Sequence, residues 1–61
     1  MFIHTQDNQT IFLPGACHFC LEQISGEPFV IFFADDSHDN VYCILDATLV
    51  KVITQDGVVL M

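Results

Sequence analysis

The chain has 61 residues and a mass of 6.9 kDa; 52% of the residues are hydrophobic and 15% charged. That makes one domain, too apolar for a disordered tail and small enough to bury only about 60% of the surface its unfolded form exposes. Eight acids against the single base Lys51 give a net charge of −7, which excludes binding of DNA or RNA through displaced phosphate counterions and disfavours an anionic membrane surface.

In chain order, the sequence reads as short apolar runs separated by turn residues, the pattern of an all-β chain. Met1 to Thr5, the polar turn Gln6 to Gln9 and Thr10 to Leu13 predict an opening hairpin. Pro14-Gly15 punctuates the chain. Cys17 to Ile24 has strand character, Ser25-Gly26-Glu27-Pro28 is a turn, and Phe29 to Ala34 is rich in aromatic and β-branched residues. Asp35 to Asn40 is a second polar turn. Val41 to Leu45 and Thr48 to Thr54 are further strands, and Gln55-Asp56-Gly57 closes a final hairpin to Val58 to Met61. No ten-residue window carries an apolar stripe at helical spacing. The expected fold is a single domain over residues 1–61, a small antiparallel meander or barrel of about five to seven short strands with little or no helix.

Several strands are apolar on both sides, Phe29-Val30-Ile31-Phe32-Phe33 above all, whereas a half-exposed antiparallel strand alternates. A chain this short cannot cover both faces from within, and small cores rarely supply more than about 3–5 kcal/mol without a disulfide, a metal or a second subunit. Homo-oligomerisation is therefore the expected staple.

Cys17, Cys20 and Cys43 are an odd number, and Met1-Phe2-Ile3-His4 lacks the basic stretch and apolar core of a signal peptide. Reduced thiols in the cytoplasm, or a metal, are expected rather than a disulfide framework. Cys17-x2-Cys20 followed by Cys43-x2-Asp46 resembles a treble-clef zinc finger of the LIM type over residues 17–46. The resemblance implies one structural zinc held by Cys17, Cys20, Cys43 and Asp46, with His18 or His38 able to replace the aspartate. It departs from the pattern at Leu21, where a knuckle has glycine. If Cys17 and Cys20 instead lie on a strand, residues three apart face opposite sides and cannot hold one ion; this reading, with no cofactor, is preferred. Asp35-x-Ser37-x-Asp39 copies part of a calcium-loop register but lacks the closing glutamate and the flanking helices.

No serine sits in a nucleophile elbow, and the histidines are scattered, so no catalytic residue is assigned and no enzyme is expected. The function expected is a small acidic interaction module, self-associating and binding another macromolecule through charge and exposed apolar strands. Glu22, Glu27, Asp35, Asp36 and Asp39 are the candidate contacts for a basic protein partner. In composition alone, with no motif, the chain is similar to phage-encoded inhibitors that occupy nucleic-acid-binding grooves; the resemblance implies an inhibitor of a basic or nucleic-acid-binding partner and names no target. The alternatives are the zinc-stapled adaptor and a small-ligand-binding oligomer whose site lies between subunits.

Overall fold

A computed structural model describes all 61 residues. The chain is all-β, with seven strands: β1 (Phe2–Thr5), β2 (Thr10–Phe12), β3 (His18–Ile24), β4 (Glu27–Phe33), β5 (Val41–Asp46), β6 (Val50–Gln55) and β7 (Val58–Val59). The one helical feature is a single 3-10 turn, Ala47–Leu49. The strands form two antiparallel sheets, β2-β1-β6-β7 and β3-β4-β5. The expected all-β fold of five to seven short antiparallel strands with little helix is present, and its strands are arranged as two open sheets.

The division has a local cause. The run from Thr48 to Thr54 does not continue as a strand from its first residue, because the Asp46 carboxylate caps the 3-10 turn, accepting from Thr48 N at 2.9 Å and Thr48 Oγ1 at 2.7 Å. This turn carries the chain from β5 in one sheet to β6 in the other. The segment around Pro14-Gly15 makes the earlier passage from β2 to β3, and a Cβ on Gly15 would overlap the ring of Tyr42, so the crossover lies directly against β5.

Registers are set by tight turns. Ile24 pairs with Glu27 across Ser25-Gly26, and Gln55 with Val58 across Asp56-Gly57. All four central residues have positive φ, between 51° and 82°, as the type I′ hairpin requires. The β3–β4 turn is therefore two residues long, and Glu27 and Pro28, expected in the turn, open β4 instead.

The core lies between the sheets. Ile3 and Ile53, paired across β1–β6, meet Val30 and Phe32 of β4, and all four are fully buried. Met1, Leu13, Ala16 and Val50 complete the cluster, with Phe19, Cys43 and Leu45 packed on it. Because paired residues share a face and neighbours alternate, the inner side of the three-stranded sheet carries the rows Phe19–Phe32–Cys43 and Leu21–Val30–Leu45. Its outer side carries Cys20–Ile31–Ile44 and Glu22–Phe29–Asp46. Only 10 of 61 residues are buried, so a two-layer slab of 27 × 26 × 14 Å leaves both broad outer faces uncovered.

Ser25 occupies a left-handed position (φ 54°) that asparagine tolerates better. Ser25→Asn is expected to stabilise the chain by up to about 1 kcal/mol, raising the thermal midpoint by roughly 4–8 °C per kcal/mol. Gly26→Ala, at φ 82°, is expected to lower it by about 1–2 kcal/mol; calorimetry of the two variants checks both signs.

Candidate functional site

The hairpin register places His18 opposite Phe33, with Cys17 just before β3 and the loop 34–40 just after β4. Cys17 N donates to Phe33 O at 2.7 Å, continuing the pairing one step beyond the strand. The loop is then folded on itself by one carboxylate. Asp35 Oδ1 accepts from Ser37 N at 2.9 Å and Ser37 Oγ at 2.5 Å, Asp35 Oδ2 accepts from Asn40 Nδ2 at 2.6 Å, and Asp39 N donates to Ser37 Oγ at 3.2 Å. These bonds favour the ionised form, and Ser37, then Asn40, lower the Asp35 pKa to about 2.

The loop so fixed returns Asp36 and His38 to the start of β3. Cys17 Sγ donates to Asp36 Oδ1 at 3.4 Å, and His18 Nδ1 lies 3.4 Å from the same oxygen. That hydrogen bond, then desolvation and the Asp36 and Asp35 charges, raise the Cys17 thiol pKa. The His18 ring stacks on Phe33 at 5.0 Å between centroids and meets the His38 ring at 4.5 Å, while His38 also touches Phe33 at 4.7 Å. The His18–Asp36 approach falls outside hydrogen-bond geometry, and both His18 ring nitrogens, shielded from water, have no hydrogen-bond partner.

The treble-clef ligand set does not assemble. Cys20 belongs to the outer row with Ile31 and Ile44, Cys43 to the inner row with Phe32, and the sheet separates them. Asp46 is the cap of the 3-10 turn, its pKa lowered by the Thr48 hydroxyl and then the Thr48 amide. Of the four, Cys17 alone belongs to a group of three potential ligands, and its companions are His18 and Asp36. A turn of two residues rather than four in the β3–β4 hairpin is the sequence signal that finds this group, because it sets Cys17 level with the residues just beyond β4.

The expected acidic contacts also separate. Asp35, Asp36 and Asp39 share the loop, but Glu27 opens β4 at its far end, on the order of 25 Å from Asp35 along an extended strand. Glu22 pairs with Phe29, between the two ends. They flank one sheet rather than forming one patch. A polar depression of about 330 Å³ lies on the other sheet, lined by His4, Thr10, Lys51 and Val52 among others, and is open to solvent. No helix is long and apolar enough to cross a membrane.

No protein-family model, curated protein or solved structure matches the chain.

The Asp35 pKa sets a pH dependence. Its folded value, about 2, lies below the ordinary unfolded value of about 3.9. Its contribution to stability is therefore present above about pH 3.9 and lost as pH falls towards 2. Asp35→Asn is expected to flatten the stability profile between about pH 4 and 2, and to leave its shape between pH 5 and 8 unchanged, in denaturant titrations at stepped pH.

Proposed function

We propose that the chain is a non-enzymatic interaction module of the cytoplasm that pairs with a second copy of itself through the outer face of β2-β1-β6-β7 and presents its acidic three-stranded sheet to a basic protein partner. The distribution of charge carries this reading. Six of the eight acids, Glu22, Glu27, Asp35, Asp36, Asp39 and Asp46, lie in β3, β4, β5 or the β4–β5 loop, and the other two, Asp7 and Asp56, lie at turns. Strands β1, β2, β6 and β7 contain no acidic residue.

The outer face of these four strands is apolar where it is most open. Phe12, Phe2, Thr54 and Val59 form one row across the sheet, and Thr10, His4 and Val52 the next. Phe2 and Phe12 stack at 4.7 Å yet remain 43% and 57% exposed, and Val59 is 65% exposed. Two chains of charge −7 repel, so a self-contact favours the face where carboxylates are sparsest. A 27 × 26 Å face is also of the scale of the roughly 800 Å² per partner that a standard interface buries.

The same partition leaves the three-stranded sheet as the acidic side of the assembly. Its field speeds encounter with a basic partner and repels nucleic acid.

Light scattering behind a sizing column at micromolar concentration is expected to give more than one subunit mass. Phe12→Asp should reduce it to 6.9 kDa with β circular dichroism retained, while Ile44→Asp, on the outer face of the other sheet, should leave the assembly intact. A folded wild-type monomer, or an assembly indifferent to Phe12→Asp, overturns the reading.

A further inference from the structure

We propose that Cys17, His18 and Asp36 form a binding site for a zinc-class divalent transition metal. The site is distinct from the CxxC-based set suggested by the cysteine spacing and shares only Cys17 with it. One sulfur, one imidazole nitrogen and one carboxylate oxygen all lie within 4.8 Å of one another. Two of the edges, Cys17 Sγ to Asp36 Oδ1 and His18 Nδ1 to Asp36 Oδ1, are 3.4 Å each. Tetrahedral ligands at the usual zinc distances of about 2.0–2.3 Å are separated by roughly 3.3–3.6 Å. The two edges therefore already match a zinc tetrahedron, and a metal can enter with small side-chain adjustments.

Three features distinguish this group from ordinary surface acids. The donor set is mixed: thiolate and imidazole select a borderline-soft metal, where calcium or magnesium would take oxygens alone. The imidazole is held in orientation by Phe33 and His38, yet neither of its nitrogens has a hydrogen-bond partner or access to water. Shielded polar atoms are normally satisfied, and a metal bond to Nδ1 gives one of the two nitrogens the partner that the protein does not supply. The loop that presents Asp36 is fixed independently, by the hydrogen bonds of Asp35, so ordering it adds little cost to binding.

The fourth position faces solvent, since Cys17 is exposed and the Asp36 side chain 92% exposed. Water completes the tetrahedron there. When the metal binds, the Cys17 thiol loses its proton to solvent and its hydrogen bond to Asp36 gives way to two bonds to the same ion, leaving the net proton release that thiolate ligation requires.

The test uses the full chain, reduced and freed of metal, titrated with cobalt(II) and then zinc(II). Cobalt is expected to bind with one equivalent per chain and to give a thiolate-to-cobalt charge-transfer band, which zinc removes by displacement. Cys17→Ser should abolish the band, and Asp36→Asn should weaken binding by roughly 100-fold or more, since losing a group that merely orients a ligand already costs about 10–100-fold. Both side chains are exposed, so circular dichroism should show both variants folded. Cys20→Ser and Cys43→Ser should leave the band and the stoichiometry unchanged. No band in the wild-type chain, a band that survives Cys17→Ser, or one lost equally with Cys20→Ser overturns the proposal. Subunit mass measured on the same samples separates this outcome from that of self-association.

Discussion

The rest of the structure depends on one packing constraint: a 61-residue chain can build one apolar layer between two sheets and has nothing left to cover their outer faces. Ile3 and Ile53 meet Val30 and Phe32 in that layer, and these side chains alone are both large and fully buried. A hydrophobic core this thin leaves little margin over the conformational entropy of the chain. The turns contribute where the core cannot. Type I′ geometry at Ser25-Gly26 and Asp56-Gly57 fixes two registers, and the Asp46 cap fixes the passage between sheets. Burying an outer face is the remaining source of apolar stabilisation, worth roughly 25 cal/mol for each Å² removed from water.

In the proposed assembly, charge selects which face that is. The carboxylates lie along the three-stranded sheet and at the turns, while the central rows of the four-stranded sheet are aromatic, aliphatic and neutral polar. Under the proposed self-association, the side of the slab with fewer carboxylates is the one that meets a second chain of like charge. The segregation also gives the acidic loop two tasks within a few residues. Asp35 is consumed in holding the loop together, which leaves its neighbour Asp36 free to face Cys17 and His18.

The strands were legible because apolar runs and turn residues alternate cleanly: Thr10, His18, Val41 and Val58 each open a strand at or within a residue of where the pattern places it. The two-sheet arrangement was not, because Thr48 to Thr54 reads as one uninterrupted strand, and only the Asp46–Thr48 bonds reveal that its first residues turn a corner. The cysteine spacing resembles a zinc finger, but the strand reading of Cys17 and Cys20 is the preferred one, and the sheet places Cys20 within β3. The cluster of Cys17, His18 and Asp36 depends on a hairpin register that a four-residue turn over Ser25 to Pro28 obscures. Once the turn is two residues long, His18 falls opposite Phe33 and the cluster follows from counting.

The central claim, that the neutral face of β2-β1-β6-β7 is covered by a second copy, is tested most directly by side-chain NMR with a soluble paramagnetic probe at assembly-forming concentration. The account predicts that Phe2, Phe12 and Val59, exposed in the single chain, are shielded from the probe while Val41 and Ile44 of β5 are broadened. Equal broadening of Phe2, Phe12 and Ile44 would contradict it.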